Sequence, residues 1–281
     1  MVDSMHDMCR WLAYSGSPIR LEELLVKRDR SLIDQSLHSR LGATTTNGDG
    51  FGVGWYETGE PPRVYHSTHP AWNDRNLREL AAGISSPLFF AHIRASTGSA
   101  IQETNVHPFR HGRWLWMHNG LIREYPQVKR ELQLRVADDL YASIEGTTDS
   151  ETMFYLALTF GLEDDPVAAV GRMVGFVEET GRKHGIQQPI QMTVATTNGE
   201  TIWAFRYSSE HDSRSLFFST RIDALREMHP ELVELGALSD ETRVVVSEPL
   251  GDVSGAWNEV PESHVGIIQP GEDALLPFAP A

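Results

Sequence analysis

The sequence predicts an α+β fold with two sheets covered by helices, and three observations point that way. Short apolar runs bounded by glycine, proline and asparagine recur along the whole chain, as strands require. Segments with apolar residues at helical spacing alternate with them over the first two-thirds. No low-complexity linker or internal repeat separates the two kinds of segment. With 281 residues, 40% of them hydrophobic, there is enough apolar material for one substantial core. The expected organisation is a short leader, residues 1–8, followed by a single domain over residues 9–281.

Taken in order, residues 9–15 form the first predicted strand, ended by a Gly16-Ser17-Pro18 turn. Leu21, Leu24 and Leu25, then Leu32, Ile33 and Leu37, give two short helical patterns within residues 21–38. Asn47-Gly48-Asp49-Gly50 is a glycine-rich turn feeding a strand at residues 51–56. Residues 73–83 predict a helix capped by Asn73, and residues 87–93 an apolar strand. Trp114 to His118 is another strand, with Asn119-Gly120 behind it, the dipeptide that tight hairpins favour because both central residues need positive φ. Helices follow over residues 125–135, 150–161 and 166–183, the second with Asp149 as cap. The rest reads as strands at 190–197, 201–207, 215–219, 243–247 and 263–268, with a hairpin at Asn198-Gly199.

Charge narrows the functional classes. Lys+Arg 24 against Asp+Glu 39 leaves a formal net charge of −15, which argues against non-specific binding to nucleic acid or an anionic membrane. No apolar run approaches the ~18 residues of a membrane span, and no basic-then-apolar signal precedes Cys9. The single cysteine excludes an intramolecular disulfide and suits a reducing cytoplasm. His107, His111 and His118 lack carboxylates or thiolates at ligand spacing, so no metal site is expected. No Gly-x-x-x-x-Gly-Lys loop for a nucleotide is present. Trp114 and Trp116 alternate on a strand and read as core or sheet-face residues.

Four segments can carry chemistry. Cys9 directly follows Met8, so a start at Met8 and removal of that methionine would leave Cys9 first. A terminal cysteine holds a nucleophile and a base together, because its α-amine, with a pKa of about 7.7–8.0, can accept the thiol proton. The plainer reading of a lone cysteine is a small buried hydrophobe. His118-Asn119-Gly120 offers a side-chain amide beside a glycine N–H, two donors for an oxyanion, each typically worth about 2.7–4 kcal/mol in a transition state; it also fits an ordinary hairpin. The strand ending at Arg94, followed by Ala95-Ser96-Thr97-Gly98, could clamp a carboxylate with two parallel hydrogen bonds, Thr97 adding a contact, or could end in a plain surface arginine. Asp149 could pair with an ammonium, cap a helix, or do both. A ligand needing all four parts has an α-carboxylate, an α-ammonium and a side-chain amide: glutamine or another γ-glutamyl compound.

These segments, in this order, resemble the class II glutamine amidotransferases of the N-terminal-nucleophile hydrolase superfamily, from Cys9 through Asp149 and more weakly to about Phe278. The resemblance implies Cys9 as nucleophile, Asn119 and Gly120 as oxyanion donors, Arg94 as carboxylate clamp with Thr97 as a secondary contact, and Asp149 as ammonium binder. Asn105-Val106-His107-Pro108 resembles a family segment in which His107 would support the substrate site rather than act as a base. Asp49-Gly50-Phe51-Gly52 resembles the turn of stand-alone members. Ala95 stands where many members carry an aromatic. The implied fold is a four-layer αββα sandwich with the nucleophile at the end of a central strand. The implied reaction is cofactor-free hydrolysis of a γ-glutamyl amide through a thioester, giving glutamate and ammonia from glutamine, in a cytoplasmic enzyme from which residues 1–8 are absent. With those residues attached, Cys9 has an amide nitrogen and no free amine. The ammonia would be released or passed to a separate synthase subunit. Two alternatives stand beside this. Ser247-Glu248-Pro249-Leu250 and Trp257-Asn258-Glu259-Val260-Pro261 resemble the γ-glutamyl hydrolase of ergothioneine biosynthesis. A non-catalytic protein that binds glutamine or γ-glutamyl ligands would keep the same pocket.

Overall fold

The computed structural model describes residues 9–27, 30–37, 47–95, 99–230 and 238–281. Among these residues the strands form two antiparallel sheets. The seven-stranded sheet runs in the order β11 (Trp257–Glu259), β9 (Phe217–Ser219), β10 (Arg243–Val246), β1 (Arg10–Arg20), β4 (Ser85–Ile93), β2 (Phe51–Trp55) and β3 (Arg63–Ser67). The six-stranded sheet runs β13 (Ala274–Pro277), β12 (His264–Ile268), β8 (Ile202–Ser208), β7 (Ile190–Thr197), β6 (Trp114–Ile122) and β5 (Phe109–His111). Helices α1 (Glu22–Leu25), α2 (Leu32–Leu37) and α3 (Arg75–Gly83) come from the first part of the chain. Helices α4 (Tyr125–Leu134), α5 (Asp138–Tyr141), α6 (Asp149–Thr159), α7 (Pro166–Lys183) and α8 (Ile222–Met228) follow. None is long and apolar enough to cross a membrane.

The layering follows from the two-residue period of the strands. On β1, Leu12 and Tyr14 point to one face and pack with Leu24, Leu32 and Leu77 from α1, α2 and α3. Trp11 and Ala13 point to the other face and meet Leu115, Met117 and Ala204 of the second sheet. On β6 the partition repeats: Leu115 and Met117 face the first sheet, while Trp114 and Trp116 pack against Met153, Val174 and Leu132 from α6, α7 and α4. The result is helix, sheet, sheet, helix: the four-layer αββα sandwich. Because both faces of each central strand are covered, β1 is buried without interruption from Arg10 to Tyr14.

Several local expectations are corrected. Gly16-Ser17-Pro18 does not turn the chain. β1 continues to Arg20, and the register against β4 shifts between Ser15 and Ile19, so the glycine and proline mark a bulge. Gly16 is required there because a Cβ would lie 2.7 Å from Thr242 Oγ1. Asn119-Gly120 is not a hairpin. Both residues lie within β6, opposite Thr193 and Met192 of β7, and the chain turns only after Ile122, with Glu124 at positive φ. Long-range pairing overrides the local turn preference. Asn73 ends a 3₁₀ turn, and α3 is capped instead by Asp74, whose side chain accepts from Leu77 N. α6 is capped by Thr148, which accepts from Glu151 N, so Asp149 is the first helical residue and its carboxylate is released for other contacts. The Asn198-Gly199 hairpin does form, joining Thr197 to Ile202. Strands β3, β5, β11 and β13 are additions; they are short, they lie at or next to sheet edges, and β3 carries a largely polar sequence with little periodicity.

Candidate active site

Cys9 sits immediately before β1, the central strand of its sheet, and just beyond the Arg10–Ile93 pair that ends the β1–β4 ladder. There its Sγ meets the backbone of Ala95, accepting from Ala95 N at 3.3 Å and lying 3.4 Å from Ala95 O. The other sheet reaches the same point: Asn119 Nδ2 on β6 donates to Cys9 O at 3.0 Å. Half-buried Cys9 is therefore held where the two sheets converge. Burial pushes its thiol pKa up; the Ala95 N–H hydrogen bond and the charges of Arg214, Arg94 and Arg10 act in the opposite direction.

Gly120, the next residue on β6, has no room for a side chain. A Cβ would lie 2.0 Å from Gln191 O and 2.7 Å from His118 Nε2. Its own backbone lines a cleft of about 1060 Å³ that also includes Ser99, Tyr125, Thr147 and Asp149.

Arg94 leaves the end of β4, its N–H bonded to Gly50 O at 2.8 Å and its carbonyl accepting from Asp49 N. Its side chain is only 4% exposed, and the guanidinium is shaped by neutral acceptors: Ser99 Oγ at 2.6 Å, Ala100 O at 3.2 Å and Asp49 O at 3.4 Å. Asp149 Oδ2 accepts from Ile122 N at 2.7 Å, and Oδ1 accepts from Ser150 N at 2.8 Å. This ties the start of α6 to the end of β6. His118 makes a second tie, with Nδ1 2.7 Å from Ser150 Oγ. Burial lowers the His118 pKa, and nearby Asp149 offsets part of that.

The structure brings Cys9, Arg94, Asn119, Gly120 and Asp149 to one edge of the sandwich. Thr97, with Ser96 and Gly98, lies outside the described residues. His107 is buried behind this edge, its ring 4.3 Å from that of His92 and 4.5 Å from that of Phe109. Its carbonyl packs directly on β2, where a Cβ on Gly52 would come within 2.1 Å of it. Burial, followed by the fields of His92 and His118, holds the His107 pKa well below the usual imidazole range. Burial and the Arg94 charge bring His92 to about 3. Among the described residues no group of three His, Cys, Asp or Glu side chains is placed to hold a metal ion.

Sequence reasoning did not assign a role to Asn105. Fully buried, it donates from Nδ2 to Ala100 O at 2.8 Å and accepts at Oδ1 from Thr147 N at 2.8 Å. One amide thus stitches the loop that receives Arg94 to the loop that presents Asp149. The Asn-x-His-Pro segment carried the signal. Two cations beside Cys9 were also missed. Arg10, 1% exposed, pairs with Glu248 at 2.7 Å and donates to Cys9 O at 3.2 Å. Arg214 is the other.

Comparison with known proteins identifies the family. A family model described as "Glutamine amidotransferases class-II" matches residues 25–278. The chain is 33% identical to a probable glutamine amidotransferase, DUG3, of Saccharomyces cerevisiae, over 96% of this chain and 84% of that protein. It is 26% identical to a gamma-glutamyl-hercynylcysteine sulfoxide hydrolase of Mycolicibacterium smegmatis, over 96% of this chain and 100% of that one. Among solved structures, a glutamine aminotransferase class-II domain protein from Silicibacter pomeroyi superposes with a TM-score of 0.72 at 30% identity, covering 97% of this chain and 100% of that chain. Glutamine phosphoribosylpyrophosphate amidotransferase of B. subtilis shares the fold, with a TM-score of 0.63 at 16% identity, over 96% of this chain and 49% of that one.

Proposed function

The chain belongs to the class II glutamine amidotransferases, and we propose that it hydrolyses γ-glutamyl amides through Cys9, in a form whose first residue is Cys9. The observation that carries this reading is the convergence at Cys9. Its Sγ lies on the Ala95 backbone while Asn119 Nδ2 reaches its carbonyl at 3.0 Å, and buried Arg94 emerges one residue before Ala95.

In this mechanism Arg94 takes the α-carboxylate and Asp149 the α-ammonium of the glutamyl group, with Thr97 a further contact. Asp149 is well suited because Ile122 N and Ser150 N fix its orientation. His107 supports the Arg94 strand end from behind. The thiol proton moves to the free α-amine of Cys9, and the thiolate attacks the γ-carbonyl. Asn119 Nδ2 and Gly120 N–H take the oxyanion. As the tetrahedral intermediate collapses, the C–N bond breaks and the α-ammonium of Cys9 protonates the departing nitrogen. The S–C bond left behind is a γ-glutamyl thioester, which water cleaves to release glutamate and restore the thiol. Glutamine yields glutamate and ammonia. Burial raises the thiol pKa, so a base beside Sγ favours formation of the thiolate. No cofactor takes part, and the single cysteine suits a reducing cytoplasm.

A second reading concerns the natural amide. The match to the M. smegmatis hydrolase covers that protein end to end, which favours hydrolysis of a γ-glutamyl conjugate with a large leaving group. The other possibility is ammonia transfer to a separate synthase subunit. Release of glutamate and ammonia by the chain beginning at Cys9, with glutamine or γ-glutamyl amides, tests the core reaction. The expected result is turnover that a Cys9→Ala variant lacks while still binding ligand in calorimetry. Equal binding by both chains with no turnover by either would mean a γ-glutamyl-binding protein.

A further inference from the structure

We propose that Arg214 forms a leaving-group subsite that selects γ-glutamyl amides whose departing amine carries a carboxylate. This rests on the reading of Cys9 as nucleophile and goes beyond it by naming what lies on the other side of the scissile bond.

The argument begins with the short segment between β8 and β9. Ser213 N bonds to Glu262 Oε2 at 3.0 Å, Ser213 Oγ bonds to the same carboxylate, and Arg206 Nε donates to Ser213 Oγ at 3.0 Å. On the other side of Arg214, Ser215 Oγ donates to Ser247 O at 2.9 Å. Ser247 is itself locked to β1: its N–H reaches Trp11 O at 3.1 Å and its Oγ accepts from Trp11 N at 3.0 Å. Arg214 is thereby clamped on both flanks and delivered to the end of β1 where Cys9 sits. Its charge acts on Cys9, Arg10 and His118.

The direction of approach separates it from Arg94. β1 lies between β10 and β4. Arg94 reaches Cys9 from the β4 side, together with Ala95. The segment that carries Arg214 approaches from the β10 side, through Ser215 and Ser247. An amide straddling Sγ with its glutamyl end toward Arg94 places its leaving group toward Arg214.

Among the described residues the charge of Arg214 also lacks a match. Two neighbouring cations have carboxylates. Arg10 has Glu248 at 2.7 Å, and Arg206 has Glu259 at 2.5 Å and Glu262 at 3.8 Å. Glu262 is further engaged by Ser208 N and Ser213. Among the described residues no acid pairs with Arg214, and its Nε is buried without a hydrogen-bond partner. A desolvated guanidinium of this kind is stabilised by an anion, and its planar fork matches a carboxylate.

The test uses the chain beginning at Cys9 with three substrates: γ-glutamylglycine, its neutral isostere γ-glutamylglycinamide, and glutamine. The readout is the ratio of kcat/KM for γ-glutamylglycine to that for γ-glutamylglycinamide. The expected ratio is about tenfold or more, the discrimination that one charge-assisted hydrogen bond supports. Arg214→Gln should bring it close to unity, and Arg214→Lys should restore part of it. A ratio near unity in the unmodified enzyme overturns the proposal. So does a ratio unchanged in Arg214→Gln while both rates fall and the pH profile moves, since that places Arg214 on the thiolate. Turnover of glutamine with no preference removes this inference alone; turnover of none of the three removes the parent reading and this one with it.

Discussion

Two polar regions lie back to back at one end of the sandwich, and they deal with burial in opposite ways. Around Cys9 the polar side chains are held by backbone groups: Arg94 by Ala100 O and Asp49 O, Asp149 by Ile122 N, Asn119 by Cys9 O. Such contacts orient each group. Behind them, His107 packs against both His92 and Phe109, and burial holds both imidazoles neutral. Those rings serve as packing. The difference is that the side chains around Cys9 are oriented by polar contacts, whereas the two imidazoles behind them are packed as neutral rings.

The comparison can be broken by substitution. Cys9→Ala should reduce turnover to background while the thermal unfolding midpoint barely moves, because a half-buried thiol at a strand end contributes little packing; residual turnover above background would place the nucleophile elsewhere. Asn119→Ala should come next, lowering kcat by about 10²–10³-fold if its amide holds the oxyanion. A normal kcat would leave Asn119 as a clip on Cys9 O and nothing more. Arg94→Ala should raise KM for glutamine, with about 10–100-fold lost in kcat/KM; an unchanged KM would remove Arg94 from substrate binding.

The smallest effect belongs to the histidine layer, and it concerns stability rather than rate. In the unfolded chain His92 titrates at about 6.5, while in the folded protein it titrates at about 3. The folded pKa is depressed, so between those values the unfolded state binds the extra proton. Stability is full above pH 6.5 and falls as pH drops toward 3, by roughly 1.4 kcal/mol per pH unit for each such histidine. His107 acts in the same direction. Urea unfolding between pH 7.5 and pH 4.5 should show this loss, and His92→Phe should flatten it. An equally steep profile in the variant would mean that other groups set the acid limit.

Much of the candidate site was legible because it is written in short local motifs. Cys9 after Met8, Arg94 at a strand end and Asp149 at a helix start are visible without coordinates. The fold class was legible through periodicity, since Trp11 and Ala13 alternate with Leu12 and Tyr14 across a strand buried on both faces. What was not legible depends on distant partners. Asn119-Gly120 has the composition of a turn, yet β7, some seventy residues later, holds it in a strand. Thr148 displaced Asp149 as cap by winning the bond from Glu151 N, which only the backbone geometry decides. Arg214 sits in Ser213-Arg214-Ser215, a sequence with no motif; its meaning comes from Ser247 and Trp11, neighbours brought together by the sheet.

The central claim is that Cys9, with a free α-amine, is the nucleophile. The most direct test is the intact mass of the natively expressed protein, with and without 6-diazo-5-oxo-norleucine, an alkylating glutamine analogue. The account predicts a chain whose first residue is Cys9 and which gains a single adduct, lost in Cys9→Ala. A chain that keeps residues 1–8 and gains none would contradict it.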